Sequence, residues 1–230
     1  MAISTNSDWL THQWVVAGIV SASSRFIPVP FIDDLVREQC RRFVVSRTLH
    51  ANTPAENISL ETLQPYYSTS DGCLAGCLGT LAKAPLKILL FPIRKIIAVV
   101  TSVRGVPLEI MKMVLLGRTL NRQLRDRPEE IDNAYAMRMR VAFEESFSGM
   151  DFRVVKAAMN DALSHVSGWK SSAMETARQS VARQDQSREP INAPKEVEAG
   201  AQKVQEVLDR PEFATLFSEF DKRFDQRMNV

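Results

Sequence analysis

The residues in this chain whose type and spacing best suit chemistry are five cations, and the chemistry is recognition of phosphate. Gly72 to Pro107 holds Lys83, Lys87, Arg94, Lys95 and Arg104 and neither Asp nor Glu. Between the cations run Ile88-Leu89-Leu90-Phe91-Pro92-Ile93 and Ile96-Ile97-Ala98-Val99-Val100. A helix turns about 100° per residue, so with Lys87 at zero, Lys83, Arg94 and Thr101 fall within about 40° of it. Ile93, Ile96, Val99, Val100 and Val103 take the broad remaining face, Lys95 the boundary. Pro92 kinks such a helix or divides it. A cationic stripe beside an apolar face suits an anionic lipid surface, with Lys and Arg at the headgroup phosphates and Leu90, Phe91 and Ile97 inserting. The competing expectation is a core helix whose lysines face water. Nucleic acid fits poorly, because the stripe lacks aromatics for base stacking and charge elsewhere is balanced.

Other constellations are weaker. Cys73 and Cys77 share a helical face, but two thiols do not make a zinc site, and His12, His50 and His165 have no ligand spacing with them. Neither a metal nor a cofactor is expected. Asp33-Asp34 reads as acids at a helix N-terminus. Glu129-Glu130 and Glu144-Glu145 fit first turns or solvated faces. No stretch matches a phosphate loop, a dinucleotide fingerprint, a nucleophile elbow or a His-Glu-x-x-His site. The expectation is a protein that is not an enzyme.

The chain has 230 residues, 45% of them hydrophobic, with 29 basic and 27 acidic residues for a net charge of +2. Whole-chain charge implies no polyanionic partner, so the asymmetry that matters is local. Three cysteines, an odd number, suggest a reducing compartment. The start, through Asp8, lacks the positive region of a signal peptide. No apolar run reaches the roughly 18 residues of a spanning helix. A cytoplasmic protein, peripheral at the inner face of the membrane, is expected.

The elements that must position the basic segment read as helices throughout. Asp8 suits the cap of a first helix to about Ser24, slim through Ala17, Gly18 and Ala22. Phe26-Ile27-Pro28-Val29-Pro30-Phe31-Ile32-Asp33-Asp34 forms an extended elbow, and a second helix runs from about Asp33 to His50. A small-residue apolar helix, an Ile-Pro-Val-Pro elbow with Asp, and an Arg-rich helix resemble the YcjF-like group of helical domains beside bacterial GTPases, and the EcsC family of membrane-associated proteins. The resemblance covers Val15 to about His50. It implies an all-helical, membrane-linked protein and supplies no catalytic residues.

Residues 51–71 are polar and turn-rich, with a short helix expected near Ser59 to Leu63 and a Tyr66-Tyr67 pair that is either exposed or docked. Pro107 opens a helix to about Arg125, whose basic end suits the helix dipole and could extend the cationic surface. Asp126-Arg127-Pro128-Glu129 signals the start of another, to about Phe147. A further helix runs from Phe152 to about His165, either ending there or continuing past Gly168 toward Arg183; the part after Trp169 has a thin apolar stripe and is expected to be exposed or to pack only lightly. Residues 184–194 form a linker by composition. The last helix, Pro211 to Met228, sets Phe213, Leu216, Phe217, Phe220 and Phe224 at helical spacing. The default is that this stripe docks on the chain's own body; a partner groove or a second copy is the other outcome.

The expected architecture is an all-α, multi-helix bundle over 1–183 with a tethered C-terminal helical pair over 195–230. The leading functional expectation is a non-catalytic, peripheral membrane-binding protein that uses segment 72–107. The rival is a soluble adaptor or oligomerising scaffold working through the Phe-rich helix. A lipid carrier with an apolar cavity between helices is a third.

Overall fold

The computed structural model describes residues 2–29, 32–52, 58–68, 105–182 and 191–229. Nine α-helices and no strand occur among them: α1 (Ala2–Ser23), α2 (Ile32–His50), α3 (Gln64–Tyr67), α4 (Val106–Asp126), α5 (Asn133–Ser148), α6 (Arg153–Ser164), α7 (Trp169–Ala182), α8 (Lys195–Leu208) and α9 (Pro211–Met228). The all-α expectation holds, because 3.6-residue periods without strand alternation leave helix-on-helix packing as the way to bury the apolar stripes.

α1 is the axis of the body. Every residue from Gln13 to Ser24 is buried, and a helix enclosed on all sides needs neighbours on all sides. α2, α4, α7 and α8 supply them. Small residues set how near they come. A Cβ added at Gly18 would stand 2.7 Å from the Ile110 Cα, and one at Gly117 would stand 2.3 Å from the Trp14 indole. Glycine is what lets these surfaces meet. The contacts pair 18 with 110 and 14 with 117, so α1 and α4 run antiparallel. The Trp14 indole N–H donates to Thr48 Oγ1 at 2.9 Å and ties α2 to the same seam.

On its other side α4 meets α5 and α9. Phe143 of α5 centres an aromatic cluster, with ring centroids 5.5 Å from Phe220, 6.0 Å from Phe147 and 6.2 Å from Tyr66. Arg118 donates to Asp221 at 2.7 Å, and Arg122 grips both oxygens of Asp225 at 2.7 Å. Each guanidinium also lies over a phenylalanine, Arg118 5.2 Å from the Phe217 centroid and Arg122 5.7 Å from that of Phe224. The pairing 118–221 and 122–225 makes α4 and α9 parallel.

Several boundaries differ from the expectation. Asp8 lies inside α1 rather than capping it. Asp126 closes α4, and α5 begins only after Asp132, whose carboxylate accepts the Tyr135 N–H at 2.7 Å. The reason is Pro128, which disfavours helical geometry at the residue before it; Arg127 sits at φ −146°, ψ 50°. The short helix expected around Ser59 to Leu63 falls one turn later, at Gln64–Tyr67, while Ser59 Oγ accepts the Thr62 N–H at 3.1 Å. Tyr66 and Tyr67 are both buried. No helix runs through Gly168, whose φ of 77° breaks it, and α7 starts afresh at Trp169. α7 is not lightly packed either: Trp169, Ala173, Thr176 and Ala177 are buried, because small residues suffice where neighbouring backbones are close. The C-terminal pair α8–α9 joins the same apolar core through Val197, Val204, Phe213, Phe220 and Phe224.

Candidate functional site

The predicted lipid-contact residues Lys83, Lys87, Leu90, Phe91, Arg94, Lys95, Ile97 and Arg104 lie outside the described residues. Their two anchor points are described. On the entry side, the Ser68 carbonyl accepts from Arg140 of α5. The preceding Tyr66 hydroxyl donates to the Leu116 carbonyl of α4 at 3.0 Å. On the return side, Gly105 leads into α4 with Pro107 in the first turn. Leu116 is eleven residues along α4 from Gly105, about 16 Å at 1.5 Å per residue. The chain therefore leaves beside the middle of α4 and re-enters at its start.

The return point is built around a buried carboxylate. Glu109, in the first turn of α4, is 6% exposed. It accepts from Ser21 at 2.8 Å and from Arg25 at 3.3 Å. The Arg25 guanidinium lies directly over Gly105, its Nη1 1.9 Å from where a Cβ would stand. Burial lowers the Arg25 pKa from its ordinary value, and the Glu109 charge opposes that shift. Arg25 is thus fixed by Glu109 rather than offered to a ligand. Next to it, the Lys170 ammonium stands 6.0 Å from the Phe26 ring centroid and 5.8 Å from that of Trp169. The elbow that follows leaves Pro28 and Val29 exposed.

Between the start of α4, the end of α6 and the start of α7 is a half-open cleft of about 550 Å³. Val106, Leu163, Val166 and Trp169 supply its apolar wall, and Lys170 stands at its rim. A second hollow, of about 530 Å³, lies between α1 and α8 beside His12. There His12 Nε2 meets Glu198 at 2.6 Å and Nδ1 meets Gln205 Oε1 at 3.3 Å. The Gln205 amide donates to the Asp8 carbonyl at 3.1 Å, which fixes its oxygen toward the ring. Through these two contacts the His12 ring clasps α1 to α8.

The predicted partner stripe is taken up inside the chain. Phe213, Phe220 and Phe224 are buried, and Leu216 and Phe217 are half-buried against the same core. Docking of a partner on those rings would require α9 to leave. Arg118 and Arg122, expected to complement a helix dipole or widen the cationic surface, are instead committed to α9. Glu144 and Glu145 are not merely solvated: they pair with Lys112 at 2.7 Å and with Arg227 at 3.1 Å. Asp33 and Asp34 do sit in the first turn of α2, with Arg37 at 3.8 and 3.7 Å. Among the described residues no group of His, Cys, Asp and Glu is arranged to hold a metal ion. Burial pushes the Cys40 thiol well above its ordinary pKa, which leaves it a small core residue rather than a nucleophile.

Sequence reasoning missed the Arg118–Asp221 and Arg122–Asp225 ladder, the Glu109 centre and the His12 clasp. Only the ladder leaves a signal, since both members of each charge set are spaced by four. Among the described residues no helix is long and apolar enough to cross a membrane. Comparison with family models, curated proteins and solved structures finds no match to this chain.

Proposed function

We propose that this is a non-catalytic peripheral membrane protein that contacts anionic lipid through the acid-free segment 72–107. One observation carries the reading. That segment holds five of the 29 basic residues and none of the 27 acidic ones, so 24 bases face 27 acids in the rest of the chain. Such a molecule is electrically lopsided: an anionic bilayer attracts the segment and repels the body, which orients the approach. Each cation near the surface adds on the order of 1 kcal/mol, and Leu90, Phe91 and Ile97 add apolar insertion.

The described body supports this in two ways. Arg140 donates to the Ser68 carbonyl just before the stretch, and the Arg25 guanidinium packs against Gly105 near its end. The body also pairs charges of its own internally, the buried Glu109 with Arg25 and the half-exposed arginines of the α4–α9 ladder with Asp221 and Asp225. Anionic lipid is concentrated on the cytoplasmic leaflet, so the inner face of the membrane is the proposed location.

Co-sedimentation with vesicles tests the proposal. The wild-type protein should pellet with phosphatidylglycerol-containing vesicles, remain in the supernatant with phosphatidylcholine alone, and release in high salt. Replacing Lys83, Lys87, Arg94 and Lys95 with Glu should abolish pelleting. Undiminished pelleting of that variant would refute the proposal.

A further inference from the structure

Lys170 is a cation without a carboxylate partner among the described residues. Its ammonium instead stands near two aromatic rings at the rim of the 550 Å³ cleft. Among the described residues no Asp or Glu lines that cleft, and Glu196 stands at its margin, its Cγ 3.5 Å from where a Cβ of Gly168 would be and its carboxylate accepting from Ser172 at 3.1 Å. Its wall is apolar, with Leu163 and Trp169 buried beneath it, and Asn160, Ser164 and Ser171 add neutral hydrogen-bonding groups. The volume lies within the roughly 300–1,000 Å³ range of small-molecule sites, which combine apolar lining with a few placed polar groups. Val106, part of the wall, lies at the C-terminal end of the acid-free stretch, so the cleft adjoins the point where that stretch joins α4.

These features select a ligand. An apolar wall takes a hydrocarbon portion, and a lone ammonium on an aromatic rim takes one negative charge. With Lys170 the one charged side chain among its described lining residues, the cleft favours an anion over a cation. We infer that this cleft binds one anionic amphiphile, an acidic phospholipid, with its phosphate at Lys170 and the first part of its chains against Val106, Leu163, Val166 and Trp169. The inference rests on the membrane reading for its choice of ligand, but, Val106 apart, it uses residues outside segment 72–107.

The test is titration of the full chain, followed by amide NMR, with dihexanoyl phosphatidylglycerol below its micellar concentration. Parallel arms use dihexanoyl phosphatidylcholine, hexanoate and inorganic phosphate. Saturable shifts at Gly168, Lys170 and Ser171 are expected with the phosphatidylglycerol, at least tenfold weaker with the phosphatidylcholine and with phosphate. Saturation by hexanoate at equal strength would overturn the assignment to a phospholipid. Lys170→Glu, at an exposed first-turn position where an acid is compatible with the helix, should weaken binding at least tenfold. Ser164→Phe, which fills the cleft from an exposed position, should do the same. Absence of saturation, equal binding of the neutral lipid, or unchanged binding by Lys170→Glu would overturn the inference. The variant reversed at Lys83, Lys87, Arg94 and Lys95 should keep this monomer binding while losing vesicle pelleting, so the two readings fail separately.

Discussion

Helix α4 meets α1 on one face and α9 on another, and the two seams are built from opposite materials. Toward α1 the contact is shape: Gly18 lies on the Ile110 backbone, Gly117 on the face of Trp14, and nothing larger than hydrogen fits at either glycine. Toward α9 the contact is reach: long arginines span to Asp221 and Asp225 and lie across phenylalanine rings on the way. A shape seam is intolerant of added volume and indifferent to salt. A seam of half-exposed ion pairs is tolerant of truncation and responds to salt, because such pairs contribute little and are screened. One helix therefore holds a rigid centre on one side and an adjustable attachment on the other.

The largest effect should come from breaking the shape seam. Gly18→Leu would drive a side chain into the α4 backbone, and a loss above about 4 kcal/mol is expected. Urea unfolding should show it, equally at low and high salt. An intermediate effect is expected at α9. In a double-mutant cycle of Arg122→Ala and Asp225→Ala, a coupling of roughly 0.5–1 kcal/mol should fall toward zero in 1 M NaCl. A coupling that is large and salt-independent would erase the contrast between the seams.

The smallest effect should appear at the turn between α8 and α9. Partial burial, and then the nearby Asp8, raise the Asp209 pKa above its ordinary value. A carboxyl with a raised folded pKa opposes folding once ionised, and that cost disappears below the unfolded value of about 3.9. Asp209→Asn should therefore raise the melting temperature slightly at pH 7 and leave it unchanged near pH 3. A gain that persists at pH 3 would point to a cause other than charge.

How legible these seams were in the sequence follows from their materials. Helix existence was readable because apolar spacing and Gly or Pro punctuation are local. The slimness of α1 was readable too, from Ala17, Gly18 and Ala22, although its partner was not. The α4–α9 ladder was hidden, because Arg118 and Asp221 are a hundred residues apart and either is explained by its own helix. The Phe213–Phe224 stripe announced that it must be buried but not against what. α7 was underestimated because Ser and Ala carry little hydrophobic signal, yet they fit where backbones approach. Of the candidate sites, the cationic segment stood out by composition alone. The Lys170 cleft did not, since its walls come from three helices and no motif joins them.

The central claim is that local charge, and not net charge, brings this protein to anionic membranes. It is tested most directly by two variants of equal net charge in one vesicle assay. One reverses Lys83, Lys87, Arg94 and Lys95 to Glu; the other reverses the exposed body residues Lys195, Lys203, Arg210 and Lys222. The account predicts that the first stays in the supernatant with phosphatidylglycerol vesicles while the second still pellets. Equal pelleting of the two, or loss in the second alone, would contradict it.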